Sequence, residues 1–292
     1  MRRVRKVALP LGVLAVVGVA LAPPVIAGDV SANVIDHILT VSGTDGGESI
    51  TIRCEGGEVT VNQAQPGGGP EACSTLRRIL VFGEDGDDRV SLGEVGPAAF
   101  DDLDSVVVSG DAGDDTLIGS GLADELLGGG GVDSLRGGGG ADELLPGPGP
   151  GEVVGGKGHD TVSVSGNGDW GVSDERIIRI TPDSEEITLS SVEAAEVTGG
   201  AGDNTISGAS FSGPLVLFGL RGDDLIQSGP KDDLIDGGEG GDYLDSGAGD
   251  DLIEGRTGDD VLRGGDGNDE LRGGPGDDVC SSGPGADSEL SC

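Results

Sequence analysis

Aromatic and histidine side chains are scarce in this sequence. Of its 292 residues, 2% are aromatic and two are histidines, whereas 60 are glycines. So small a volume of large apolar side chains excludes a deep globular core of the ordinary kind. A glycine-rich, acidic chain is either disordered or built from repeats that each bury little.

Positive charge is scarce as well. Lys and Arg number 17 against 54 Asp and Glu, which leaves a formal net charge of −37. Nucleic acid and anionic membrane surfaces repel such a chain, whereas cations are attracted to it. We therefore predict no nucleic-acid partner and a cation as the principal ligand.

Motifs of enzymatic chemistry are missing from the sequence. Neither G-x-S-x-G nor H-E-x-x-H occurs, so the esterase nucleophile elbow and the helical zinc-protease site are absent. Neither His37 nor His159 has the spacing of a catalytic residue. We predict that the chain is not an enzyme; the alternative is a secreted hydrolase with an unrecognised site within 28–82 or 164–198.

A nine-residue repeat organises the chain. Residues 219–290 divide into eight consecutive blocks and residues 110–163 into six, while single blocks lie at 83–91 and 199–207. Most blocks carry Gly at the first and fourth places, Asp at the sixth and an aliphatic residue at the eighth. The sixth place is Gly151 in one block and Asn204 in another. This fixed period argues against disorder.

The block pattern predicts stacked turns and short strands. Its glycines permit backbone conformations that other residues avoid, so the first half of a block is a turn and the last three places a strand. Two blocks complete one coil, and each block stacks on the block 18 residues later, with strands about 4.8 Å apart. Stacked carboxylates about 5 Å apart repel by roughly 3 kcal/mol at an effective dielectric near 20. A calcium ion, which accepts several carboxylate and carbonyl oxygens, suits these rows better than magnesium does.

The repeat resembles a known family. The blocks that begin at Gly237, Gly264 and Gly273 match G-G-x-G-x-D-x-U-x, the calcium-binding nonapeptide of RTX proteins of the hemolysin type. The resemblance implies an all-β fold, a right-handed parallel β-roll or β-helix solenoid, with Ca²⁺ between successive turns. It also implies that the ligands are glycine-turn carbonyls and the sixth-place carboxylates, which are Asp88, Asp115, Asp124, Asp133, Asp142, Asp160, Asp224, Asp233, Asp242, Asp251, Asp260, Asp269, Asp278 and Asp287.

The N-terminus has the pattern of a secretory signal peptide. Four basic residues within Arg2–Lys6 precede an apolar core and a small-residue site that ends at Ala27. Prolines and glycines in and around this core favour a cleaved peptide over a membrane anchor. Cleavage after Ala27 changes the net charge from −37 to −41, since it removes four basic residues. We predict a secreted protein, extracellular or at the cell surface, with no membrane insertion after cleavage and calcium ions as its partners.

Secretion gives the four cysteines a structural role. In an oxidising compartment, Cys54 and Cys73 are expected to pair, and Cys280 and Cys292 to close the last coil. We divide the chain into a signal peptide (1–27), an N-terminal β segment with a disulfide (28–82), a first roll (83–163), a β connector (164–198) and a second roll with a cysteine-capped C-terminus (199–292).

The two rolls are predicted to be unequal. Sixth-place carboxylates 18 residues apart form six pairs in the array from 219 and three in the array from 110, because Gly151 interrupts one row. Asp251→Ala or Asp260→Ala should therefore impair calcium-linked folding more than Asp160→Ala or Asp287→Ala, which lie at array ends.

Overall fold

The computed structural model describes residues 30–180 and 184–292. The predicted signal peptide and its cleavage site after Ala27 lie outside these residues. No helix within the described ranges is long and apolar enough to cross a membrane.

Short strands form almost all the regular structure of the described chain, which has no α-helix and one 3₁₀ turn at Cys73–Thr75. The strands are β1 (Ser31–Ile35), β2 (Ile38–Ser42), β3 (Ser49–Glu55), β4 (Glu58–Val61), β5 (Arg78–Phe82), β6 (Arg89–Ser91), β7 (Ser105–Ser109), β8 (Thr116–Ile118), β9 (Asp124–Leu127), β10 (Asp133–Gly140), β11 (Glu143–Leu145), β12 (Gly151–Gly158), β13 (Thr161–Ser165), β14 (Trp170–Ser173), β15 (Arg176–Arg179), β16 (Glu185–Ser190), β17 (Ala194–Thr198), β18 (Thr205–Ser210), β19 (Leu215–Arg221), β20 (Leu225–Gln227), β21 (Leu234–Glu239), β22 (Tyr243–Asp245), β23 (Leu252–Thr257), β24 (Val261–Arg263), β25 (Glu270–Arg272), β26 (Val279–Ser281) and β27 (Ser288–Leu290).

Two long, mostly parallel sheets contain all of these strands. One has 13 strands in the order β1-β2-β5-β7-β9-β11-β13-β17-β19-β21-β23-β25-β27, and the other has 14 in the order β26-β24-β22-β20-β18-β14-β15-β16-β12-β10-β8-β6-β3-β4. Consecutive nine-residue blocks alternate between the sheets, so two blocks make one coil. Both sheets run from the N-terminal β segment through the connector to the last block.

The register confirms the predicted spacing of 18 residues. Ile226 aligns with Leu244, and Leu244 with Leu262, in consecutive strands of the 14-stranded sheet. Every eighth-place aliphatic side chain in the two arrays is fully buried. Burial of one such side chain contributes about 1.5–3 kcal/mol. The core is therefore a narrow double row of aliphatic residues between the sheets.

The connector departs from the nine-residue period because it contains an extra strand. Strand β15 is antiparallel to β14 and to β16, so the coil at 164–198 contributes three strands to the 14-stranded sheet. The stretches 176–180, 186–189 and 195–198 form β15, β16 and β17 within one residue of those bounds.

The disulfide pairs agree with the prediction. The Cα atoms of Cys54 and Cys73 are 6.0 Å apart, and those of Cys280 and Cys292 are 5.8 Å apart, with each pair bridged. At the N-terminal end, the Val34 and Val59 N–H groups donate to the carbonyls of Gly67 and Glu71. The Cys54–Cys73 bridge holds the loop that carries these acceptors, so the loop covers the exposed edges of β1 and β4.

Leu220 adopts a backbone conformation that favours glycine. Its φ is +80°, and the equivalent second place in most blocks of the arrays is Gly, also with positive φ. Because the Leu220 side chain is half exposed (49%), its removal loses little buried apolar surface. We expect Leu220→Gly to raise the free energy of unfolding by about 1 kcal/mol.

The matched control is Leu225→Gly, because Leu225 is similarly exposed (46%) but does not have a positive φ. There glycine should destabilise by about 0.5–1 kcal/mol. Guanidinium unfolding at saturating calcium measures both changes. Equal destabilisation by the two substitutions would contradict the strain assigned to Leu220.

Candidate metal sites

The sixth-place aspartates form hydrogen-bonded rows along the stack. Within each array, one oxygen of the side chain, Oδ1, accepts from the backbone N–H of the sixth-place residue 18 residues earlier. The distance is 2.9 Å from Asp115 N to Asp133 Oδ1 and 2.8 Å from Asp242 N to Asp260 Oδ1. Six such bonds join aspartates in the array from 219 and three in the array from 110. These are the pairs counted from the sequence, and the row containing Asp133 ends where Gly151 replaces aspartate.

The second oxygen of most of these side chains is buried without a partner. Among the described residues, eleven sixth-place aspartates have an Oδ2 atom that is inaccessible to solvent and accepts no hydrogen bond; they are Asp88, Asp115, Asp133, Asp142, Asp160, Asp224, Asp242, Asp251, Asp260, Asp269 and Asp278. A buried carboxylate oxygen without a partner costs several kcal/mol unless a cation or a proton compensates it. These atoms therefore call for a positive charge within the stack.

A carbonyl oxygen faces nine of these eleven carboxylates across a small space beside a first-place glycine. A Cβ atom on the first-place residue Gly255 would lie 2.8 Å from the Gly273 carbonyl oxygen and closer still to Asp260 Oδ2. At Gly128, the same position would lie 2.6 Å from both Asp133 Oδ2 and the Pro146 carbonyl oxygen. Glycine at the first place leaves this space open, and the oxygens that converge on it are ligands that Ca²⁺ prefers. The residues present therefore fit a calcium ion.

Three of the predicted ligands differ from the other eleven. Asp124 Oδ2 accepts from Ser120 N at 2.6 Å, and Asp233 Oδ2 accepts from Gly229 N at 3.0 Å, so protein donors already satisfy both. Asp287 accepts from Asp269 N at 3.0 Å, but its Oδ2 is not among the buried, unpartnered oxygens.

The backbone conformation at the second place of a block distinguishes two kinds of sixth-place side chain. In one kind the second-place N–H donates to the side chain, and in the other Oδ2 has no partner. In all eleven blocks whose aspartate has an unpartnered Oδ2, the second-place residue has positive φ. In four blocks it does not, and there its N–H donates to the sixth-place side chain: Thr44 to Glu48, Ser120 to Asp124, Gly200 to Asn204, and Gly229 to Asp233. Each of these four side chains is the first of its row. The rows thus begin with a side chain bonded by protein N–H groups, and the places that need a cation come after it.

Sequence reasoning missed two sets of residues. The stretch Gly43–Thr51 has the spacing of a block with Glu48 at the sixth place, a signal that was available, and Glu48 N donates to Asp88 Oδ1 at 2.6 Å. Fifth-place aspartates form a second, exposed row, in which each backbone N–H donates to the aspartate 18 residues earlier instead of 18 residues later. Asp250 N donates to Asp232 Oδ1 at 2.9 Å, and Asp277 N donates to Asp259 Oδ1 at 2.9 Å.

Carboxylates do not gather into a compact cage. No group of three or more His, Cys, Asp or Glu side chains in residues 30–180 and 184–292 is placed to hold a metal. The aspartates follow one another in single file, one per coil, so backbone carbonyls would have to supply most of the ligands. Ca²⁺ tolerates such an irregular, carbonyl-rich shell, whereas Mg²⁺ requires a near-octahedral one.

Burial raises the pKa of the row aspartates. It raises the pKa of Asp115, Asp142 and Asp224 to about 6, and that of Asp242 to about 7. Neighbouring carboxylates in the row raise these values further, and backbone N–H donors oppose the shift. A proton therefore competes with a cation for the same oxygens near neutral pH.

This stack of glycine turns, buried aspartates and aliphatic rungs defines a calcium-binding repeat solenoid. A family model for the RTX calcium-binding nonapeptide repeat matches residues 109–144, 118–151, 196–211, 218–253 and 254–289. The chain therefore carries RTX repeats, which bind calcium. Comparison with curated proteins finds no match.

The raised pKa values predict opposite effects of pH with and without calcium. The metal-free folded chain binds more protons than the unfolded chain between about pH 4 and 7, so its stability is greatest at acid pH and is lost as pH rises. Calcium requires deprotonated ligands, so calcium binding strengthens over the same range. In chelator, we expect the β signal in circular dichroism to increase on acidification, with a midpoint near pH 6.

The pH at the midpoint of this change shows whether the buried aspartates or the exposed carboxylates are titrating. A midpoint near pH 4, where exposed carboxylates titrate, would mean that general loss of negative charge is the cause. At saturating calcium the β signal should stay constant from pH 6 to 8.

Proposed function

We propose that the protein is secreted and that its calcium-loaded solenoid has a structural, surface-associated role outside the cell. The observation that carries this proposal is the set of eleven buried, unpartnered carboxylate oxygens. Extracellular calcium, in the millimolar range, would fill sites of Kd about 0.1 mM and add about 1.4 kcal/mol at each. We further propose that the coils are right-handed and that 83–163 and 199–292 form two calcium-binding rolls joined by 164–198.

Support for secretion comes from both ends of the chain. The signal-like N-terminus predicts export, and two bridged cysteine pairs suit an oxidising compartment. The strongly acidic surface suits a soluble extracellular protein that binds cations.

The alternative of a hydrolase gains no support from His37, the histidine of the segment 28–82. His37 Nδ1 lies 3.0 Å from Glu71 Oε1, but the Thr75 hydroxyl donates to the same glutamate oxygen, at 2.6 Å, and not to the imidazole. A nucleophile must face the base that activates it. This trio therefore lacks the arrangement of a catalytic triad.

Secretion is tested by expressing the full gene in a host with a general secretory pathway. The protein recovered from the medium should begin at Gly28 and contain two disulfides, found by peptide mapping without reduction as Cys54–Cys73 and Cys280–Cys292. Retention of residues 1–27 in a membrane fraction would contradict the proposal. A bridge between the two ends of the chain would contradict the stacked layout.

A further inference from the structure

Asp160 lies at the end of the first array, where the sequence shows no following nonapeptide. Its side chain is fully buried, and Oδ2 has no hydrogen-bond partner. Inside the arrays, as at Asp142 and Asp260, the coil 18 residues later supplies a carbonyl beside Oδ2 and a side-chain oxygen for the backbone N–H. After Asp160, the next coil belongs to the connector.

The connector nevertheless supplies both groups. The Ser191 carbonyl oxygen and Asp160 Oδ2 converge on the position that a Cβ atom of Gly155 would take, with Asp160 Oδ2 2.6 Å from it. The backbone N–H of Asp160 donates to Glu193 Oε2 at 2.9 Å, and the N–H of Glu193 donates back to the Asp160 carbonyl at 3.0 Å.

The strand register shows how a shorter turn achieves this. Val154 aligns with Ser190, and Thr161 aligns with Ala194. The six residues from Gly155 to Asp160 therefore lie opposite three residues, Ser191 to Glu193. Ser191 has a φ of +53°, a conformation that serine adopts at a cost. This three-residue turn places a carbonyl and a carboxylate where a nonapeptide would place its own.

We propose that the cation site at Asp160, of the calcium class, is completed by the connector, with the Ser191 carbonyl and the Glu193 carboxylate as its further ligands. The matched repeat segments end at 151 and resume at 196, so the site lies between them. The inference rests on the proposed calcium-binding function and adds to it a role for the connector. Calcium at this site holds β17 against β13. The folding of the connector therefore depends on calcium bound along the aspartate row.

Trp170 reports on this coupling. It is the only tryptophan in the chain and is 4% exposed. Its indole N–H donates to the Gly166 carbonyl at 3.1 Å, and Gly166 N donates to the Thr198 carbonyl at 3.0 Å. The environment of Trp170 therefore depends on the docking of β17, which begins directly after Glu193.

Calcium titration of the mature full-length chain tests the site with three readouts: Trp170 emission, far-ultraviolet circular dichroism, and calcium bound per chain by equilibrium dialysis. Glu193→Gln should raise the calcium midpoint of the Trp170 change at least fivefold and reduce the bound calcium by one ion per chain. Glu193→Asp, which provides the carboxylate used elsewhere in the rows, should keep the wild-type number of ions.

The control is Glu196→Gln, which makes the same charge change in strand β17, on its outer face. It should leave the Trp170 midpoint and the ion count unchanged. Unchanged values for Glu193→Gln would overturn the site, as would an equal shift for Glu196→Gln. If Glu193→Gln does not fold, Asp160→Asn tests the site: a deficit of one ion with a raised Trp170 midpoint supports it, and unchanged values overturn it.

Failure of this inference is distinguishable from failure of the proposed function. In the first case the wild-type chain still binds calcium and gains β structure, and only the Glu193 effects are missing. In the second case the wild-type chain shows neither binding nor a calcium-dependent change in circular dichroism.

Discussion

Removal of calcium is expected to unfold most of the solenoid at pH 7.5. The core is a double row of single aliphatic side chains, whereas ordering nine residues costs on the order of 9–18 kcal/mol in backbone entropy. Eleven buried carboxylate oxygens add an electrostatic cost when no cation is present. Calcium at eleven such sites, each with Kd about 0.1 mM, would contribute about 15 kcal/mol at 1 mM Ca²⁺. This equals the whole stability of an ordinary domain.

Magnesium should not replace calcium, because it gives up its waters reluctantly and demands octahedral geometry. The measurement is far-ultraviolet circular dichroism in chelator, in 1 mM Ca²⁺ and in 10 mM Mg²⁺. Equal β signal in chelator and in calcium would refute the dependence of the fold on the metal. Equal signal in magnesium and in calcium would refute the carbonyl-rich site.

Replacement of one row aspartate should remove one calcium ion from the folding reaction. Asp260 lies within the longer array; its Oδ1 accepts from Asp242 N at 2.8 Å, and its Oδ2 is unpartnered. In Asp260→Asn, the amide oxygen can keep the first bond. The amide N–H can donate to the Gly273 carbonyl, which shares the space beside Oδ2. The variant therefore needs no cation at this place.

Two opposite changes are expected from Asp260→Asn. Stability in chelator should rise, and stability at 10 mM Ca²⁺ should fall by about 2.7 kcal/mol if Kd is about 0.1 mM. The dependence of the folding constant on calcium concentration should decrease by one ion. Denaturant unfolding at several calcium concentrations measures all three quantities.

Asp287→Asn is the matched control, since Asp287 accepts from Asp269 N but its Oδ2 is not among the buried, unpartnered oxygens. It should leave the calcium dependence unchanged. Asp233→Asn should also have little effect on it, because Gly229 N already donates to Asp233 Oδ2. A loss of one ion in either control, equal to the loss in Asp260→Asn, would show that the unpartnered oxygens do not mark the sites.

Much of the candidate site was predictable because the period is regular. A fixed spacing of nine residues places Asp242 and Asp260 in one row, whatever the geometry of the turn. The number of aspartate pairs in each array therefore followed from counting, and so did the interruption at Gly151. The protein donors to Asp124 and Asp233 did not follow, because they depend on whether the second-place residue adopts positive φ. Glycine is compatible with either backbone, and Leu220 and Arg256 show that a residue other than glycine can also adopt positive φ at this place.

The role of the connector was not predictable from spacing either. Glu193 is 33 residues from Asp160, with no repeat between them. Only the insertion of β15, antiparallel to β14 and β16, brings the two residues into contact. Asp160 was expected to be a weak terminal residue; the structure adds Ser191 and Glu193 as its neighbours.

The sequence alone determined the quantities that repeat: strand positions, an 18-residue register, the aliphatic core row, the aspartate rows and the cysteine pairs. These depend on local conformation and on a constant interval, both of which can be read along the chain. Tertiary structure decided which carboxylate oxygens are left without a partner, which end of a row is closed by backbone N–H groups, and how the connector continues the stack. Those features depend on which groups meet across neighbouring coils, because a buried oxygen needs a cation only when no donor from the adjacent coil reaches it.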